Sequence, residues 1–208
     1  LDDPELCVAA VRNPAPKPVT RLGLLPDSAF LRNRSPMTKE EVRAVILSKL
    51  RLKPAAVVWD LGAGTGSVSI ECARMCPFGE VYAVEYKPEA LDILEQNKIR
   101  FQTKNLQIIA GRAEEQVQHL PVPDCAFLGG SSGAAKQLVA GLRQLRQPVR
   151  LVASAVTMET QAELFPLLQE LPQFEVVQLA VGCGKTVGNY HVLEGNHPVL
   201  LFSCMTKE

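Results

Sequence analysis

The chain has 208 residues, a length that fits one large domain with a substantial core. Hydrophobic residues make up 47% and charged residues 21%, an ordinary globular composition, and 22 basic residues balance 22 acidic ones. Neutrality argues against a surface-wide polyanion site but not against a local basic pocket, and no apolar run approaches the ~20 residues of a membrane span. Residues 7–11 are a lone short strand pattern, and Pro14, Pro16 and Pro18 follow as a stiff linker with no starting Met before them. The expectation is that residues 1–21 are a linker or the tail of a preceding domain and that 22–208 form a domain of their own. A turn-rich stretch then carries Arg21, Arg32 and Arg34. Thr38-Lys39-Glu40-Glu41 reads as a capping box with Thr38 as N-cap. The helix it opens should bury Val42, Val45, Ile46 and Leu50, and Pro54 stops it.

The next stretch, Val57-Val58-Trp59-Asp60-Leu61-Gly62-Ala63-Gly64-Thr65-Gly66, organises the chain. A short strand ends in an acid, three glycines follow at alternate positions, and a helix comes behind with Val68, Ile70, Ala73 and Met75 as its apolar side. Glycine there allows positive φ and close approach of a ligand to bare backbone. The helix start suits a carboxylate or hydroxyl oxygen. Residues 81–85 form a second strand ending in Glu85, about twenty residues after the glycines, where an acid can accept both hydroxyls of a ribose. A helix over 88–100, strands at 107–110, 125–128 and 150–155, and helices over 113–119, 134–145 and 157–171 continue the alternation. Two strand patterns, 174–181 and 199–204, close the chain around a loop rich in glycine. This order implies a mostly parallel sheet with an antiparallel edge. Six cysteines without a C-x-x-C pair read as reduced, mostly buried thiols, and with no signal-peptide pattern a cytoplasmic location is expected.

The G-x-G-x-G spacing after Asp60 resembles motif I of the class I S-adenosylmethionine-dependent methyltransferases, whereas dinucleotide folds prefer G-x-G-x-x-G. The plainer alternative is a glycine-rich turn in another α/β protein. Three further stretches narrow the resemblance: Pro36-Met37-Thr38-Lys39-Glu40-Glu41-Val42-Arg43, Gly129-Gly130-Ser131, and Ala155-Val156-Thr157-Met158-Glu159-Thr160. In that order they resemble the decarboxylating precorrin methyltransferases of cobalamin biosynthesis, over roughly residues 22–208. Two positions depart from the pattern. Arg112 stands where the superfamily usually places an acid for the adenine amino group, leaving backbone groups of Arg112 and Ala113 to hold adenine. Ser132 replaces a glycine frequent in relatives.

The resemblance implies an α/β, Rossmann-like class I methyltransferase: a mostly parallel seven-stranded sheet with an antiparallel edge strand and helices on both faces. It implies methylation of a precorrin of the 6Y/6B type at a meso carbon, coupled to decarboxylation of an acetate side chain. The cofactor would be S-adenosylmethionine, leaving as S-adenosylhomocysteine, with no metal. Thr38, Asp60, Gly62, Ala63, Gly64, Thr65, Gly66, Glu85, Tyr86, Arg112, Ala113 and Gly129 are the expected cofactor-binding residues. Gly129, Gly130, Ser131, Thr157 and Glu159 are the catalytic candidates. Thr157 is equally well explained as a helix cap, and the two glycines as a positive-φ turn. Arg34, Lys39, Lys185 and His191 are candidates for the substrate carboxylates, each also readable as a solvated surface group. His119 and His197 carry no chemistry in this reading. The implied partners are the tetrapyrrole, further copies of the chain in a homo-tetramer, and an N-terminal tetrapyrrole methylase domain, with no nucleic acid and no membrane. Two other classes compete. A nucleic-acid methyltransferase would end its fourth strand in [DN]-P-P-[YF] to hold a flipped base, which Leu128-Gly129-Gly130-Ser131 does not supply. A non-catalytic cofactor-binding module would show no turnover.

Overall fold

Strands β1 (Val57–Leu61), β2 (Glu80–Glu85), β3 (Leu106–Ala110), β4 (Cys125–Leu128) and β5 (Arg150–Ala155) pair in parallel. Strands β6 (Glu175–Leu179) and β9 (Val199–Met205) complete a seven-stranded sheet in the order β3-β2-β1-β4-β5-β9-β6. β9 runs antiparallel between β5 and β6. The computed structural model describes residues 23–33, 35–130 and 133–208, so the pattern at 7–11, its proline linker, Arg34, Ser131 and Ser132 lie outside the described residues.

Helices cover both faces because the central strands are apolar on both sides. α1 (Glu40–Leu50), α2 (Ser67–Met75) and α3 (Pro88–Phe101) pack Ile46, Leu50, Ile70 and Leu94 against Val58, Val81, Ala83 and Phe127. On the opposite face, α4 (Ala113–Gln116), α5 (Ala135–Gln144) and α6 (Met158–Leu168) lie over Trp59, Leu61, Val84, Leu128 and Phe202. Among the described residues no helix is long and apolar enough to cross a membrane.

Three local expectations change. Thr38 does not cap α1: Lys39 holds the N-cap position without a side-chain bond, and the Thr38 carbonyl accepts from Arg43 Nη1 at 2.6 Å. Met75 is 47% exposed, and the buried side of α2 is built instead by Val68, Ile70, Cys72 and Ala73, with Ser67, Ser69 and Glu71 also buried. The glycine-rich loop near the C-terminus is a hairpin, β7 (Gly182–Val187) and β8 (Tyr190–Gly195), paired in its own two-stranded sheet with every strand residue exposed. Cys183 lies on it and is exposed, while Cys72, Cys76, Cys125 and Cys204 are buried thiols.

Arg43 sits wholly buried in α1 although it is a charged residue. Its guanidinium donates to Asp27 Oδ1 at 2.7 Å and to the carbonyls of Leu25 and Thr38 at 2.6 Å each, and lies 4.9 Å from the centre of the Phe30 ring. These bonds compensate a charge that would otherwise be prohibitive in the interior. They also tie Leu25, Asp27 and Thr38 to α1. Arg43→Met should therefore cost roughly 3 kcal/mol in urea unfolding, because it strands one half-buried carboxylate and two carbonyls. Asp27→Asn, which keeps an acceptor in place, should cost less.

Candidate functional site

The strand order reverses between β1 and β4, and the crevice beyond their C-terminal ends is where open α/β sheets place ligands. The turn after β1 has φ of +80° at Gly62, +56° at Gly64 and +78° at Gly66. Each glycine also yields space to a different neighbour. A Cβ on Gly62 would meet the Gly130 carbonyl at 2.6 Å, one on Gly66 the Leu94 side chain at 2.1 Å, and one on Gly64 the Pro36 carbonyl at 3.2 Å. The turn is thus fitted to Gly130 after β4, to α3 and to Pro36 at once.

A cavity of about 290 Å³ opens over the turn, close to the lower end of small-molecule pockets. Thr38, Asp60, Gly62, Ala63, Gly64, Thr65, Glu85, Tyr86, Arg112, Ala113, Gly129 and Gly130 line it, as do Ser35 and Pro36. Gly66 stands behind the wall as the N-cap of α2.

Two carboxylates face this cavity. Glu85 ends β2 and is 5% exposed. Its Oε1 accepts the amides of Tyr86 and Lys87 and its Oε2 the amide of Gly64, all at 2.9 Å. A carboxylate offers about four acceptor positions, so one further donor fits without disturbing these bonds. Asp60 is buried, its Oδ2 accepts from the Ser69 hydroxyl, and its Oδ1 has no protein partner. Burial pushes the Asp60 carboxyl up to about 7; hydrogen bonding from Ser69 opposes the rise and the charge of Glu85 adds to it. The Thr65 hydroxyl is likewise buried without a partner. Orphaned buried polar atoms in a cavity wall suit a polar ligand that completes them.

The amides of the turn are largely spent inside the protein. Those of Gly62 and Ala63 go to the Val84 carbonyl, that of Gly64 to Glu85 and that of Gly66 to the Ala63 carbonyl. These four amides are not free for a ligand, whereas the carboxylates of Asp60 and Glu85 line the cavity. That favours a ligand carrying positive charge over a pyrophosphate. At its outer wall Arg112 stacks 5.0 Å from the centre of the Tyr86 ring, with Lys87 on the same ring at 5.7 Å. On the inner side none of the described residues stands within 4 Å of where a Gly130 side chain would begin, and neither Gly129 nor Gly130 has positive φ. The positive-φ explanation of these two glycines does not hold.

The other candidates do not converge on the cavity. Thr157 caps α6, accepting the Thr160 amide at 3.2 Å, and Glu159 is exposed in the first turn of that helix. Lys39 lies 3.6 Å from Asp27. Lys185 pairs with Glu194 at 2.9 Å on the exposed hairpin, which also carries His191.

Residues 29–206 match the family described as the precorrin methyltransferase domain. The chain belongs to this family. It is similar to the decarboxylating cobalt-precorrin-6B C(15)-methyltransferase of Salmonella typhimurium, 37% identical over 186 residues, or 88% of this chain and 96% of the relative. The crystal structure of precorrin-6Y C5,15-methyltransferase from Geobacter metallireducens matches with a TM-score of 0.81 at 33% identity, covering 88% of this chain and 98% of the other. The C-terminal domain of precorrin-6Y C5,15-methyltransferase from Rhodobacter capsulatus gives 0.77 at 26%, covering 87% and 96%. The sheet order and helix layers are those of class I methyltransferases.

Several residues of this precorrin methyltransferase domain escaped the sequence reading. Ser69 partners Asp60 nine residues on, and only the fold shows that the two meet. Asn97 shares the apolar face of α3 with Ile93 and Leu94. A polar residue at i+3 and i+4 from buried ones was a readable signal.

The raised Asp60 value makes a pH prediction for the unliganded domain. In the unfolded chain this carboxyl ionises near its ordinary 3.8, while the folded chain holds its proton up to about 7. Its contribution to stability is thus complete below pH 3.8 and is lost as pH rises to about 7, at up to ~1.4 kcal/mol per pH unit. Thermal melts from pH 5 to 8 should show this decline in the wild type and a flatter profile in Asp60→Asn. Identical profiles would mean that Asp60 does not titrate in that window.

Proposed function

We propose that this chain is a cytoplasmic enzyme that methylates a precorrin with S-adenosylmethionine and releases carbon dioxide from an acetate side chain, in cobalamin biosynthesis. The observation that carries the reading is the cavity in which Asp60 and Glu85 face an open glycine edge. S-adenosylmethionine supplies an activated methyl group on a cationic sulfonium. Glu85 would hold its ribose, the backbone beside Gly62 to Gly66 its amino-acid part together with Asp60 and Thr65, and the Tyr86–Arg112 stack its adenine. The neighbouring carboxylates suit both positive charges of such a ligand.

An electron-rich carbon of a reduced tetrapyrrole is the attacking atom, so no side chain has to serve as nucleophile. The protein's task is alignment, which can supply ~7–11 kcal/mol of a barrier. Gly129 and Gly130 would give the broad macrocycle a flat floor at the rim of the cavity. Arg34 and Lys39 would meet the substrate's carboxylates; the Lys39–Asp27 contact is a partly exposed ion pair that an incoming carboxylate can replace. Neither methylation nor decarboxylation in this scheme demands a metal.

Turnover decides the matter. Purified protein given a precorrin of the 6B type and S-adenosylmethionine should yield a methylated product and carbon dioxide, and the absence of both would refute the assignment. Gly130→Leu should fold and still bind S-adenosylhomocysteine while methyl transfer falls by at least ~100-fold, since the open space at the rim of the cavity is filled. Full activity in that variant would move the substrate elsewhere.

The proposal extends to a homo-tetramer built through the β7–β8 hairpin. A lone two-stranded hairpin is marginally stable in water, yet this one exposes Val187, Tyr190, Val192 and Leu193, and among the described residues no strand pairs with either outer edge. Edges of that kind pair with another chain unless they are protected. Assembly would also bring Lys185 and His191 beside other subunits. Tyr190→Glu with Leu193→Glu should reduce the four-subunit mass in light scattering after size exclusion while the seven-stranded domain stays folded.

A further inference from the structure

Residues 23–33 and 35–38 lie over α1, α2 and α3 as a strap and lend Ser35, Pro36 and Thr38 to the cavity wall. Among the described residues the strap is fastened through side chains rather than through the sheet. Arg43 holds Leu25, Asp27 and Thr38. Glu71, buried in α2, accepts the Leu25 amide at 2.6 Å. Asn33 donates to the Glu89 carbonyl at the start of α3 at 2.6 Å. Asn97 makes the fastening that also reaches the glycine turn. It is fully buried in α3; its Oδ1 accepts the Leu31 amide at 2.8 Å, and its Nδ2 donates to the carbonyls of Leu31 and Thr65 at 3.0 Å each.

These bonds join the two walls of the cavity. Thr65 belongs to the turn and has an unpartnered hydroxyl in the buried wall, while Leu31 and Pro36 both belong to the strap. The walls also touch directly, since the Pro36 carbonyl stands 3.2 Å from the place a Gly64 Cβ would take. We propose that Asn97 is a positioning residue for the cofactor cavity: one carboxamide sets the spacing between strap and glycine turn and so tunes cofactor affinity without touching the cofactor. The carboxamide is suited to this because it alone offers an acceptor and two donors in one plane. A buried hydrophobic residue of the same size would leave an amide and two carbonyls unpaired. The inference rests on the cavity taking S-adenosylmethionine.

The test compares wild type with Asn97→Ala by calorimetry with S-adenosylhomocysteine and by steady-state kinetics. Affinity should fall about tenfold or more, and KM for the cofactor should rise with it, while kcat at saturating cofactor changes far less. A lower melting temperature with unaltered affinity in the folded fraction would reduce Asn97 to a structural role and overturn the proposal. Hydrogen exchange on the wild type gives a second reading that does not depend on the variant folding. Adding S-adenosylhomocysteine should slow exchange of the Leu31 amide together with that of Thr65 and Gly66. Protection confined to the turn, with Leu31 unchanged, would overturn the coupling. If wild-type protein binds no S-adenosylhomocysteine, the cofactor reading fails first and this inference falls with it.

Discussion

Three backbone amides meeting on the Glu85 carboxylate hold the cavity in shape. Because β1 and β2 pair with Leu61 opposite Val84, the glycine turn and the acid leave the sheet at the same level. The carboxylate then spans the gap: one oxygen fixes the turn at Gly64, and the other fixes the start of the link into α3 at Tyr86 and Lys87. A charge at 5% exposure needs such compensation. The same bonds that make Glu85 tolerable inside the protein give the turn its position. The shape of the cavity therefore follows from strand register, one acid and three amides before any ligand arrives.

Around this centre the interior holds several polar and charged side chains. Ser67, Ser69 and Glu71 are buried on one helix, Arg43 and Asn97 on its two neighbours, and Asp60 at the end of the strand beside them. Glu71, Arg43 and Asn97 reach the strap or the turn, and Ser69 and Asp60 bond each other. Among the described residues Asp60 Oδ1, the Thr65 hydroxyl and Arg43 Nε are buried without a partner, and the first two line the cavity. Their unmet hydrogen bonds destabilise the empty protein, and a ligand that supplies donors regains that free energy on binding. The stability of this region and its affinity for a ligand are thus opposed.

Much of the scaffold was legible because its signals are periodic and local. The fifth strand falls at 150–155 in the sequence reading and in the structure, since an apolar run bounded by breakers has few alternatives. The glycine turn was legible because dihedral angle and spacing are both written in residue type. What failed depended on distant partners. The capping box at Thr38 gave way to Arg43, whose guanidinium claims the Thr38 carbonyl and draws the strap inward. The late glycines read as a loop because alternate exposed and apolar residues in a detached hairpin bury nothing within one chain. Thr157 carried two readings in the sequence, and its bond to the Thr160 amide shows the capping one in place. Asn97 was a lone polar letter on an apolar face, and its importance lies in peptides 32 and 66 residues away.

The size and charge of the cavity constrain how two reactants share the site. A volume of about 290 Å³ holds one ligand of nucleoside size and leaves no room for a macrocycle beside it. Its inner wall carries carboxylates, which repel a substrate bearing many carboxylates of its own. Both arguments send the tetrapyrrole to the rim. At that rim Gly130 leaves open space, whereas a Cβ on neighbouring Gly129 would meet the Phe127 ring at 2.9 Å. The first glycine is required by packing of the protein against itself, and the second is not. A glycine that neither dihedral angle nor packing demands, placed where the proposed substrate must approach, is most simply accounted for by that approach.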